Sequence, residues 1–181
     1  MVKFIVTAGF LGVIPFMPGT FGSLPGLLCF RLVHMLSYGL MGVRGVTVGT
    51  MLLQLMCVLG AFVAGVRLTN SYIQSREVYD ADPKEVVIDE VVGQWLVYVL
   101  VAPLSVFEIP QLNGFFVSVV APFIFFRFFD IFKPWPICWV DKNVDGGLGV
   151  MLDDVVAALF AALFYYGFVL FAFDGPKVPG A

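Results

Sequence analysis

The sequence predicts an all-α, multi-pass membrane protein, with four to five transmembrane helices in a single domain spanning residues 1–181. Three observations predict it. Hydrophobic residues make up 60% of the chain and charged residues 13%, with a mean hydropathy of +0.98. Soluble domains carry about 45–50% apolar and 25% charged residues, so the excess needs a non-aqueous solvent. The apolar residues fall into uncharged runs of the length that crosses a bilayer, about 20 residues. The charges, in contrast, are gathered into two windows.

The elements follow in chain order. The first residues, with Lys3 ahead of an apolar stretch, superficially look like a signal peptide. Pro15, Pro18 and the lack of a small-residue cleavage site argue for mature protein. Pro18–Leu24 (PGTFGSL) offers the Thr20 and Ser23 hydroxyls and glycines ahead of the first span, which a turn or N-cap explains equally well. That span, Phe21–Met41, is interrupted by Arg31 and His34, whereas the next, Val46–Val66, has no charge. In the polar window Arg76–Glu90, the residues Asp82, Pro83 and Glu85 suit the N-cap, N1 and N3 positions of a new helix. Val91–Phe107 and Leu112–Phe126 read as a hairpin around Pro110–Asn113, and its short second arm is the reason the count is four to five. The second polar window, Arg127–Asp154, leads into the uncharged run Val155–Phe173 and a loose tail, Asp174–Ala181.

Each polar window holds eight of the chain's 23 charges. With Met1–Thr20 on the cytoplasmic side and five alternating spans, both windows land on that side, bringing Arg67, Arg76, Lys84, Arg127, Lys133 and Lys142 with them. The opposite loops carry only Arg44 and Glu108, an asymmetry that follows the positive-inside rule. Chemistry is therefore expected at the cytoplasmic face. A net charge of −3 excludes the basic surface that nucleic acid requires. Cys29, Cys57 and Cys138 are odd in number and show no CxxC spacing, which supports neither a disulfide framework nor a zinc site.

Within Phe126–Asp154, the side chains of Arg127, Asp130 and Lys133 step by three residues and share one polar stripe of a helix that Pro134 and Pro136 end. Interfacial anchoring of a helix end would explain the stripe as well. The glycines Gly146, Gly147 and Gly149 allow close approach to an anion at a helix start. Asp153 and Asp154 follow, a pair that either binds a cation or forms a solvated first helical turn. Asp89 and Glu90 stand just before a long apolar run, where carboxylates are costly unless paired or metal-bound. Acids to hold Mg²⁺, cations to hold phosphate oxygens and backbone donors make up a phosphoryl-transfer set at a membrane face.

Other phosphatase chemistries lack essential parts. A cysteine phosphatase needs an arginine six residues beyond its nucleophile, where Cys138 has Val144 and Cys57 has Val63. Histidine-dependent lipid phosphatases need at least two histidines, and His34 is the sole histidine. Asp80-Ala81-Asp82 lacks the preceding strand of an aspartyl phosphatase, and the aspartate spacing does not fit a CDP-alcohol transferase. A reading from a different class is a small transporter or ion-conducting protein, which predicts charges near mid-span and broken helices in matching halves. Here the acids lie at helix starts on one side and no half-repeat is visible.

FRFFDIFKPWPI and DKNVDGGLGVMLDD, with DPKEVVIDEVVGQW and PGTFGSL upstream, resemble the phosphatidylglycerophosphatase A family from about Pro18 to about Ala158. The resemblance implies Mg²⁺-dependent hydrolysis of phosphatidylglycerophosphate to phosphatidylglycerol and phosphate, with the membrane phospholipid as partner, in a bacterial inner membrane. Carried onto this chain, it implies acidic site positions at Asp89, Glu90, Asp130, Asp153 and Asp154. Of these, Asp89, Glu90, Asp153 and Asp154 would bind metal and Asp130, Asp89 and Asp154 would be catalytic. Arg127 and Lys133, with Gly146 and Gly147, would bind the phosphate. Asp130 would orient the site or activate water, and a covalent phospho-aspartate is also open to it. The chain departs from the family pattern at Asp145, where histidine is frequent, at Lys142 in place of arginine, and at Val91 and Gln94 in place of Phe and Met.

Overall fold

A computed structural model describes residues 1–41, 47–75, 84–103 and 114–172. All regular structure among them is helical, as predicted. A short helix α1 (Val2–Val6) and a 3₁₀ turn (Leu11–Val13) precede α2 (Pro18–Met41), α3 (Val48–Gln74) and α4 (Ile88–Val101). A π-helical turn, Phe116–Val120, runs directly into α5 (Ala121–Phe132), followed by α6 (Ile137–Asn143) and α7 (Gly146–Ala172).

Two of these helices, α3 and α7, are long and apolar enough to cross a membrane, each with a mean hydropathy of 2.0 over its candidate span. The others do not reach that standard. The 14 residues of α4, for example, extend only about 21 Å. The predicted hairpin turn at Pro110–Asn113 and the capping residues Asp82 and Pro83 lie outside the described residues.

Two helix starts differ from the sequence reading. α4 begins at Ile88, with Val87 as its N-cap, so Asp89 and Glu90 occupy the first turn rather than a position one to two turns inside. Glu85, the expected N3 residue, instead accepts a hydrogen bond from the Tyr72 hydroxyl and pairs with Lys3 at 3.6 Å. The Val87 N–H is held by the Val6 carbonyl at 2.9 Å, which ties this stretch to α1. Conversely, α7 starts at Gly146, seven residues before Asp153, so the Asp153–Asp154 pair sits two turns inside the helix and not in a solvated first turn.

α4 lies at the centre, buried at Val92–Val99, with α2, α3, α5 and α7 packed around it. Buried polar groups are satisfied between helices, as an apolar surround requires. The Trp95 indole donates to Gln54 Oε1 at 2.8 Å, and the Gln54 amide donates to the Phe30 carbonyl at 2.8 Å. The Tyr98, Tyr165 and Tyr166 hydroxyls donate to the carbonyls of Val119, Val117 and Leu100. Thr47 and Thr50 form a reciprocal capping box that starts α3.

Gln94 is an exception: it is fully buried, and neither amide atom has a partner among the described residues. An unsatisfied buried polar group costs about 1–3 kcal/mol. Gln94→Met, similar in volume, is therefore expected to raise the Tm in detergent by several degrees. An unchanged or lowered Tm would show that the amide is satisfied after all.

Candidate active site

The ends of several helices converge on one cleft of about 410 Å³. The start of α2 contributes Gly19 and Thr20, α4 contributes Asp89 and Glu90, and the end of α5 contributes Arg127 and Asp130. Lys133 follows α5, and α7 brings Gly146, Asp153 and Asp154. All five predicted acids and both predicted cations thus line a single cavity, although they come from segments up to 65 residues apart in the chain. Lys84, Asp89 and Glu90 of the first charge-rich window thus meet the second window at one end of the bundle.

Arg127 organises one side. Its Nη1 donates to Asp130 Oδ2 at 2.5 Å, to Glu90 Oε1 at 3.1 Å and to the Ser23 hydroxyl at 3.2 Å. The Asp130 pair is the i, i+3 relation that the sequence spacing predicts. The Ser23 hydroxyl in turn donates to the Gly19 carbonyl at 2.8 Å, so α2 is tied to the arginine through a hydroxyl. Close approach makes this possible: a Cβ on Gly19 would stand 1.9 Å from Glu90 Oε1, and one on Gly22 would stand 2.4 Å from Glu90 Oε2. The glycines of PGTFGSL serve helix packing rather than turn flexibility.

Lys133 organises the other side. Its ammonium donates to Asp153 Oδ2 at 2.6 Å and to Asp141 Oδ1 at 2.5 Å. Burial by itself would lower its pKa, but the charges of Asp153 and Asp141 and their hydrogen bonds outweigh burial and raise it above the ordinary lysine range. With a raised folded-state value, the stabilisation is complete below the ordinary lysine pKa and lost only as pH climbs through the raised one. The ammonium therefore keeps its charge throughout the neutral range. Lys133 is also the left-handed C-cap of α5, at φ 41°.

Asp153 and Asp154 are 5% and 2% exposed, buried well beyond what the sequence reading of a solvated helix start allows. Asp154 faces the carboxylates of Asp130, Asp89 and Asp153, and its Oδ2 has no hydrogen-bond partner among the described residues. Arg127 Nε is likewise buried without one. Among the described residues, no three of His, Cys, Asp or Glu stand close enough to form a finished metal shell. Glu90 and Asp153 are engaged by Arg127 and Lys133, while Asp154 presents a buried oxygen. Hard carboxylate oxygens of this kind suit Mg²⁺.

Gly147 departs from its expected role. Its N–H donates to Asn70 Oδ1 at 2.7 Å, and a Cβ there would lie 2.4 Å from the Val66 carbonyl. It seats α7 against α3 and does not line the cleft, whereas Gly146, at φ 70°, does line it. Sequence reasoning missed Asp141, the second partner of Lys133, and Lys84, exposed at the rim. Asp141 has no periodic relation to Lys133; it is returned to the lysine because the chain turns at Pro134–Pro136 before α6.

A family model described as phosphatidylglycerophosphatase A matches residues 4–169. The chain is 32% identical over 155 residues to the phosphatidylglycerophosphatase A of Escherichia coli K12, covering 86% of this chain and 76% of that protein. It is also 32% identical over 152 residues to the Haemophilus influenzae protein of the same name, covering 84% and 78%. A Bacteroides thetaiotaomicron protein, named provisionally as a phosphatidylinositol-3-phosphatase, is 34% identical over 161 residues, covering 89% and 85%. No solved structure matches the chain significantly.

Proposed function

Because this chain belongs to the phosphatidylglycerophosphatase A family, we propose that the carboxylate cleft is where it removes the terminal phosphate of phosphatidylglycerophosphate. The overall activity is that of its family, hydrolysis to phosphatidylglycerol and phosphate in phospholipid biosynthesis. The observation that carries the site assignment is the convergence of five acids and two cations on one cleft at the charged end of apolar helices.

In this reading Arg127 and Lys133 bind the phosphate oxygens, each already positioned by a carboxylate on either side. Asp130, fixed by Arg127, orients the attacking group and takes the proton of a water nucleophile. Asp89 and Asp154, with Glu90 and Asp153 beside them, would hold Mg²⁺, which when bound neutralises charge developing on the phosphoryl oxygens. The buried walls of α4 and α7 exclude bulk water and strengthen these charge interactions.

The same reading places the bundle in the bacterial inner membrane with the cleft toward the cytoplasm. Its support is the apolar surface outside the core: Leu52, Met56 and Leu59 of α3, and Leu163, Phe164 and Phe171 of α7, are all more than half exposed. Around the cleft, Phe132, Trp135 and Trp139 are exposed at the level where aromatic side chains favour a headgroup interface. A phosphate carried on a lipid would reach the cleft without its acyl chains leaving the bilayer.

The test is phosphate release from phosphatidylglycerophosphate by the detergent-purified protein. Release is expected with Mg²⁺, to fall to background with a chelator, and to return on adding Mg²⁺ back. Release unaffected by chelation would remove the metal from the proposal. Asp89→Asn and Asp130→Asn should each lower turnover by on the order of 10²-fold or more. Turnover near wild type in both would place the chemistry elsewhere.

A further inference from the structure

A second polar cavity of about 230 Å³ lies between α2, α4 and the π turn that leads into α5, lined by Arg31, His34, Tyr98 and Ser118 among apolar residues. Arg31 stands 13 residues along α2 from Pro18 at the catalytic cleft, about 20 Å at 1.5 Å per residue, so the two cavities are separate. It is the sole charged residue in Pro18–Met41. Arg31 is exposed at the edge of this cavity, and an arginine on the apolar flank of a membrane helix is costly unless an anion or water meets it. Neither Arg31 nor His34 makes a hydrogen bond or ion pair among the described residues, and no carboxylate among them lines this cavity. The His34 ring is stacked on Phe30, with centroids 6.2 Å apart and planes 15° apart, which fixes its orientation. The Tyr98 hydroxyl, spent on the Val119 carbonyl, closes the wall between α4 and the π turn.

We propose that this cavity binds the phosphate of an anionic phospholipid, in the half of the bilayer away from the catalytic cleft. Arg31 supplies the charge and planar donors that suit a phosphate, and the His34 ring supplies another donor. On the same helix, next in sequence to the lining residues Leu27 and Arg31, Leu28 and Leu32 are at least half exposed and would meet acyl chains. The cationic Arg31 favours a headgroup of net negative charge. The proposal rests on the bundle being membrane-embedded and is independent of the assignment of the catalytic cleft.

Native mass spectrometry of the full chain in detergent decides it, counting retained phosphatidylglycerol in wild type, Arg31→Gln and His34→Gln. Wild type should hold one more lipid than Arg31→Gln, or hold it about tenfold more tightly, the loss of a charged phosphate contact. His34→Gln should show a smaller loss in the same direction and serves if Arg31→Gln does not fold. Phosphatidylcholine should not substitute, and inorganic phosphate should not displace the lipid. Turnover of phosphatidylglycerophosphate should stay within about twofold of wild type, since a tenfold change would need about 1.4 kcal/mol at the cleft. Equal lipid retention in all three proteins overturns the proposal. So does displacement by free phosphate, or a lower Tm of Arg31→Gln with retention unchanged, which would mean that the protein itself holds the guanidinium. Absence of turnover in wild type would instead count against the catalytic reading and leave the lipid count to decide this one.

Discussion

Asp154→Asn is expected to lower phosphate release from phosphatidylglycerophosphate by on the order of 10³-fold while leaving the Tm unchanged or raising it. The two effects have opposite signs because the residue is poorly placed for stability and well placed for chemistry. Its carboxylate is 2% exposed and faces Asp130, Asp89 and Asp153, so the folded chain concentrates negative charge around it. An amide of the same size relieves that repulsion. It also loses the charge with which Oδ2, unpartnered among the described residues, would hold a cation. Phosphate release and thermal unfolding, measured on one preparation, separate the outcomes. A drop in both would mark Asp154 as structural, and turnover within a few-fold of wild type would remove it from the site.

Gly19→Ala should cost nearly as much, by a different route. The added methyl would stand 1.9 Å from Glu90 Oε1 and 2.7 Å from Arg127 Nη2. Glu90 can yield only by leaving the guanidinium, and the guanidinium by leaving Asp130. Displacing a reacting group by about 1 Å can cost about 10²-fold in rate. Turnover should therefore fall by about that factor, with Gly22→Ala following the same trend through Glu90 Oε2. Gly60→Ala is the control: apart from its own helix backbone, no described atom lies within 4 Å of its would-be Cβ, and the gain in helix propensity is about 0.5–1 kcal/mol. Equal activity for Gly19→Ala and Gly60→Ala would show that α2 does not hold the arginine in place.

The acids and cations of the cleft were legible in the sequence because charge in an apolar chain is costly and so marks its own position. The spacing of Arg127 and Asp130 even indicated their pairing. The way in which the cleft is supported was not legible. Gly19, Gly22 and Gly26 are spaced to share one helical face, and read as part of α2 they would have signalled close packing; read as PGTFGSL they looked like a turn. The depth of Asp153 and Asp154 was missed because the glycines at 146, 147 and 149 suggested that the helix starts only at the acid pair. In the fold, Gly147 and Gly149 are the positions where α7 passes close to the Val66 and Val144 carbonyls. Asp141 and Asn70 became visible only once helices remote in sequence were side by side, a relation that local periodicity does not encode.

Lys133 has the backbone conformation in which glycine or asparagine is the natural occupant, since a side chain there costs about 1–2 kcal/mol. A consensus-style stabilisation of this chain would target that position early and would be misled. The relaxed backbone would come at the expense of the ammonium between Asp141 and Asp153, leaving Asp153 buried without its counter-charge. At this position, drift toward the easier residue is opposed twice, once through folding and once through turnover. It is therefore a place where sequence variation among natural members of the family should be narrow even though the backbone alone would favour change.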